Sequence, residues 1–193
     1  MLTLFHAPKS RSTRMIWLLE ELGATYMITK VGIQRGDGSG GRDPANPHPH
    51  GQVPALDDDG VLITESAAIA LYLTDKLREH PTGPAVGDPL RGPYLTWLAY
   101  YAGVLEPVIT NRWTQRANDS DNANYEILCQ RLKTALEAGP WLLGEDFSAA
   151  DILFISLLDF ARQMLPDYAV FDDWVARARA RPAYQRAQQK DDA

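Results

Sequence analysis

Gly51-Gln52-Val53-Pro54-Ala55-Leu56-Asp57-Asp58-Asp59-Gly60-Val61-Leu62-Ile63-Thr64-Glu65-Ser66 is the stretch on which the fold turns. Two short apolar runs, at 54–57 and 61–64, flank Asp58-Asp59-Gly60, and Asp-Gly between such runs predicts a β-hairpin. After Thr64 the period lengthens to that of a helix. Ala68, Ile69, Leu71, Tyr72 and Leu73 recur at helical spacing up to Lys76.

Reading toward the N-terminus, Leu2 to Phe5 is a short alternating run and predicts a strand. Met15, Ile16, Leu18, Leu19 and Leu22 then fall on one helical face between Ser12 and Leu22, and Gly23 supplies a C-terminal stop. Tyr26 to Val31 is rich in β-formers. The chain therefore opens β-α-β, with the two strands parallel if the crossover is right-handed. Gly32 to Gly51 is crowded with Gly, Pro, Asp and Asn and reads as loop with at most a short helix.

Reading toward the C-terminus, Pro81, Gly83, Pro84, Gly87 and Pro89 give residues 79–88 the composition of a linker. Asp88-Pro89 suits an N-cap followed by a first helical residue. Helices are expected near 89–116, 121–138, 148–165, 171–180 and 183–190, with Pro107 kinking or dividing the first. The fold class is thus a small α/β domain (1–78, βαβ-ββα), a linker (79–88) and an all-α domain (89–193).

Composition narrows the function. The chain has 193 residues, 45% hydrophobic and 23% charged, as in ordinary globular proteins. A net charge of −6 argues against a nucleic-acid partner, since phosphate binding needs surplus Lys and Arg. His6, Pro8 and Lys9 arrive too early for a secretory signal, and the run Ile152–Leu158 is far short of a membrane span, so a cytoplasmic protein is expected. The single cysteine, Cys129, lies in a helical-looking stretch and reads as a core residue. His6, His48, His50 and His80 lack helical metal-ligand spacing, so no metal is expected.

Four segments, in order and spacing, resemble the cytosolic glutathione transferase superfamily, with bacterial beta-like and fungal-type members nearest. They are Ser10-Arg11-Ser12 leading into Trp17-Leu18-Leu19-Glu20-Glu21-Leu22-Gly23; Gly51-Gln52-Val53-Pro54-Ala55-Leu56; Thr64-Glu65-Ser66-Ala67-Ala68-Ile69; and Trp141-Leu142-Leu143-Gly144 through Ser148-Ala149-Ala150-Asp151. The resemblance covers essentially the whole chain. It implies the glutathione transferase fold, a thioredoxin-like domain ahead of a helical one, with glutathione as co-substrate and a homodimeric assembly.

The resemblance also assigns roles. Val53 before a cis Pro54 would pair its backbone with the cysteinyl unit of glutathione, as an added strand does. Ser66, at a helix start whose N–H groups lack internal partners, would hold the γ-glutamyl carboxylate, and Glu65 the ammonium. Gln52 and Arg35 are candidates for the glycyl end. Thiol activation in the family uses a Tyr, Ser or Cys at the start of the first helix, where a donated hydrogen bond lowers the thiol pKa.

This chain departs there, because the usual position falls on Lys9. Ser10 is the adjacent hydroxyl and the first candidate for thiol contact; Lys9 could act by charge, and Ser12 is a third candidate. An electrophile pocket between the domains would be lined from the aromatic helix by Trp97, Tyr101 and Trp113. The implied activity is attack of the glutathione thiolate on small apolar electrophiles. Other glutathione-dependent chemistry (peroxide reduction, dehalogenation, isomerisation) and a non-catalytic binding role remain alternatives. Ser148 and Asp151 read as a helix-capping box with a folding role.

Overall fold

The computed structural model describes residues 1–191. Two compact units emerge: Met1–Pro81 joined by the helix Pro182–Asp191, and Thr82–Arg181. The expected division gave every helix beyond residue 89 to the second domain, and the last helix departs from it. Its sequence is polar and short, with nothing local to say which unit it would cover.

In the first unit, β1 (Leu2–His6), α1 (Thr13–Glu21), β2 (Tyr26–Lys30), β3 (Ala55–Asp58), β4 (Val61–Thr64) and α2 (Ser66–Lys76) follow in order. The sheet runs β2-β1-β3-β4. β1 pairs parallel with β2, Leu4 opposite Ile28, and antiparallel with β3, Leu4 opposite Leu56. The hairpin turns at Asp59 and Gly60, with φ of 51° and 91°. Positive φ at both central residues matches the twist of the flanking strands, which is why Asp-Gly is placed there. α1 ends in a Schellman cap: Gly23 has φ of 61°, and the Ala24 N–H donates to the Leu19 carbonyl at 3.0 Å. Leu4, Leu56, Met15, Ile16, Leu18, Ile69 and Leu73 form the core between sheet and helices.

α8 (Pro182–Asp191) packs along α1. Tyr184 sets its ring edge-on to Trp17 with centroids 5.0 Å apart, and Glu20 accepts from Arg186 at 2.7 Å and Lys190 at 2.5 Å.

The second unit holds α3 (Arg91–Tyr100), α4 (Glu106–Trp113), α5 (Asp119–Ala138), α6 (Ala149–Phe160) and α7 (Ala169–Arg179). α3 begins two residues after Pro89, because the Asp88 carboxylate takes the Leu90 N–H at 2.8 Å and the Asp88 carbonyl takes the Arg91 N–H. A π-helical turn, Tyr101–Leu105, separates α3 from α4. Pro107 has no N–H to return to the preceding turn, and the widened turn accommodates it. α6 stops at Phe160, and a 3₁₀ turn at Arg162–Met164 takes the place of its expected last residues.

Ser148 and Asp151 form the expected capping box: the Ser148 N–H and hydroxyl donate to Asp151 at 2.9 and 3.0 Å. Ser148→Ala is expected to cost about 1 kcal/mol in urea unfolding, with no change in ligand affinity. Among the described residues, no helix is long and apolar enough to cross a membrane.

Candidate functional site

The site is built on three turns of the first unit. Pro8 to Ser12 links β1 to α1; Asn46 to Pro54 leads into β3; and Glu65-Ser66 joins β4 to α2. A small apolar cluster of Ala7, Val31 and Val53, with Phe5 and Ile33 against it, ties the first two turns together.

The second turn is pinned by its own polar groups. The Asn46 amide donates to the Gln52 carbonyl at 3.0 Å, and Asn46 Oδ1 accepts the His48 N–H. His48 Nδ1 accepts the His50 N–H at 3.1 Å. Burial holds the His48 imidazole below its ordinary pKa, against the attraction of Glu65 and with the repulsion of His50. Asn46 and His48 were not singled out as site-supporting residues from the sequence, and nothing in a Pro-rich loop marks them as its buried anchors. Val53-Pro54 is cis, as the resemblance implied. The β3 ladder begins only at Ala55, so the Val53 backbone lies outside it, while the Gln52 side chain is exposed.

Glu65 has φ of 69°, a left-handed conformation that costs a non-glycine residue and persists only where its surroundings impose it. It occupies the N-cap of α2 without giving a side-chain cap, and the first turn of α2 carries no acidic residue. The first-turn N–H groups of α2 thus receive no side-chain cap from Glu65, and Ser66, the first residue of the helix, is almost fully buried.

In the first turn, Lys9 is exposed, with φ of 55° and its N–H donated to Asp191 Oδ2 at 3.0 Å. The Arg35 guanidinium donates to the Pro8 carbonyl at 3.0 Å, which places it beside this turn. Ser10 is half-buried, its Oγ 2.8 Å from Ser12 Oγ. Ser12 corrects an expectation: it is completely buried, with its hydroxyl 2.8 Å from His6 Nδ1 and 3.2 Å from the Ala7 N–H. That removes it from direct contact with a ligand. Asp191 was not legible as a partner of this turn, since most of the chain lies between it and Lys9.

The aromatic residues of the helical unit also differ from expectation. Trp97 is 7% exposed, donates its indole N–H to the Leu142 carbonyl at 3.0 Å and meets Phe154 edge-on at 5.4 Å. Tyr101 is 1% exposed and packs on the same Phe154. Both are core residues: one α-helical turn apart, they share the face that packs on Phe154 of α6. Trp113 is 49% exposed and leans on the exposed Phe160, centroids 4.9 Å apart. Cys129 is buried, and burial pushes its thiol pKa up, which suits a core residue.

Residues 1–75 match the family described as glutathione S-transferase, N-terminal domain. Glutathione S-transferase GstA of Escherichia coli O157:H7 is 29% identical over 82% of this chain and 81% of its own. Disulfide-bond oxidoreductase YfcG of Escherichia coli K12 is 29% identical over 97% of this chain and 94% of its own. A sphingomonad glutathione S-transferase solved in complex with glutathione is 25% identical, covers 98% of both chains and superposes with a TM-score of 0.81. Residues 1–75 are thus similar in sequence to the glutathione transferase N-terminal domain, and the whole chain carries the glutathione transferase fold.

Proposed function

We propose that the protein binds glutathione on its first unit and presents the thiolate, held by Ser10, to small apolar electrophiles. The observation that carries this reading is that Glu65 gives α2 no side-chain cap and that the first turn holds no acidic residue. The γ-glutamyl carboxylate goes there, with its ammonium on Glu65. The cysteinyl unit lies along the Val53 backbone, ahead of Pro54. Gln52 and Arg35 take the glycyl end, Arg35 being already at the Pro8–Lys9 turn. Of the three candidates for the thiol, Ser10 has the accessible hydroxyl; Lys9 adds positive charge nearby. In the second unit, Trp113 and Phe160 form an exposed aromatic pair suited to an apolar ligand. A homodimer and a cytoplasmic setting belong to the same reading.

The similarity to a disulfide-bond oxidoreductase over nearly the whole chain favours a second reaction on the same site. With Cys129 buried and its thiol pKa raised, the thiols exchanged would be those of glutathione itself.

Retention on immobilised glutathione, with elution by the free tripeptide, tests the binding reading. Ser66→Ala and Glu65→Ala are each expected to weaken affinity about tenfold by calorimetry, the scale of one charge-assisted hydrogen bond. No retention, or unchanged affinity in both variants, would overturn it. An activated aryl halide and a small mixed disulfide, offered with glutathione, separate the two reactions.

A further inference from the structure

Ser10 is the outer end of a chain of polar groups that runs into the first unit. Its Oγ lies 2.8 Å from Ser12 Oγ, which lies 2.8 Å from His6 Nδ1. On the far side of the ring, His6 Nε2 lies 3.1 Å from the Asp191 carbonyl and 3.5 Å from an Asp191 carboxylate oxygen. His6 and Ser12 are both completely buried. Asp191 is fixed in turn by the Lys9 N–H and the Thr13 hydroxyl. The last turn of α8 thus supplies a carboxylate to the start of α1, where the helix dipole favours negative charge.

The acceptors decide which way the protons point. A backbone carbonyl can only accept, so Nε2 carries the ring hydrogen, and in the neutral ring Nδ1 is left as an acceptor. Ser12 then donates to Nδ1 while its oxygen accepts the Ala7 N–H and the Ser10 hydroxyl. A longer contact from Ser12 to the Ala7 carbonyl, at 3.3 Å, is the competing direction. Ser10 Oγ itself accepts the Ser12 N–H at 3.2 Å and keeps room for one more donor.

Building on the Ser10 reading above, we infer that His6, held by Asp191, stores the proton that glutathione gives up. The S–H bond breaks with its electron pair staying on sulfur, and the proton passes to Ser10 Oγ. The Ser10 proton passes to Ser12, and the Ser12 proton to His6 Nδ1. The result is a thiolate, an imidazolium and two intact hydroxyls now turned outward, Ser12 donating to Ser10 and Ser10 to sulfur. No co-reactant is needed, and the charge made on the ring sits beside the Asp191 carboxylate. Attack on the electrophile forms the C–S bond and expels the leaving group as its anion; when the conjugate departs, the His6 proton returns along the same path to water at Ser10. His6 and Asp191 act through Ser10 and are positioning residues.

The test is the fraction of bound glutathione present as thiolate, read by ultraviolet absorbance at neutral pH, alongside kcat and the glutathione Kd. His6→Gln is expected to lower thiolate fraction and kcat, kcat by about 100-fold, with Kd little changed. Asp191→Asn should cost about tenfold in kcat, the loss of one neighbouring charge. In a Ser10→Ala background, His6→Gln should add nothing, because the chain is already cut. An impaired Ser10→Ala with an unaffected His6→Gln overturns the relay and leaves the Ser10 reading standing. An unaffected Ser10→Ala overturns both. Should His6→Gln fail to fold, Asp191→Asn decides: a lower thiolate fraction at unchanged Kd supports the relay, and an unchanged fraction overturns it.

Discussion

Asp151→Ala is expected to lower the unfolding free energy by about 4 kcal/mol, read by urea denaturation. Asp151 is completely buried and accepts from Leu142 N–H at 2.9 Å, the Ser148 N–H and hydroxyl, and the Trp174 indole at 3.1 Å. Removing it orphans donors from the Trp141–Gly144 turn, the start of α6 and the side of α7 together. Each buried donor left without an acceptor costs about 1–3 kcal/mol, partly returned because a buried charge is no longer desolvated. Against a total stability of about 5–15 kcal/mol, this loss is large.

The same carboxyl has a pH signature. Burial pushes its pKa up to about 6, against the hydrogen bonds that favour the ion. The unfolded chain holds it near the ordinary value of about 3.9. Between those values the native state binds more protons than the unfolded one, so the Asp151 contribution falls as pH rises through about 6. Asp151→Asn should flatten that part of the stability curve. An unchanged slope between the variant and the parent would contradict the assignment.

Ser10→Ala is expected to lower kcat for an activated aryl halide about 100-fold at saturating glutathione, with little change in glutathione affinity. The hydroxyl is asked to stabilise the thiolate more than the thiol, and affinity comes from Val53, Glu65 and Ser66. A variant that keeps the parent rate would move the role to Lys9 or to a backbone N–H of the turn. Ser12 is not available to take it over, since its hydroxyl is committed to His6 and Ala7.

Much of the fold was readable because local chemistry and tertiary need coincide. Asp59-Gly60 tolerates the positive φ that a two-residue hairpin turn needs, and Gly23 ends α1 by the same freedom. Ser148 and Asp151 announce a helix start by their spacing alone. What could not be read depends on distance. Period shows that Trp97 and Tyr101 share a helix face, but not that this face packs inward on Phe154, more than fifty residues further on. Ser12 stood as a third candidate for the thiol, because burial of one hydroxyl in a turn depends on a histidine before it and a helix far beyond it. Asp191 had no local signal at all: its partners Lys9 and Thr13 lie near the other end of the chain.

The placement of α8 makes the first unit discontinuous along the chain. A ribosome that has finished β4 and α2 has not yet made the residues that meet Trp17, Glu20 and the Lys9 turn. The second unit is fully translated before those partners appear. Residues 1–81 therefore do not form a transplantable cassette: cut from the chain, they lose the helix that fixes the Lys9 turn.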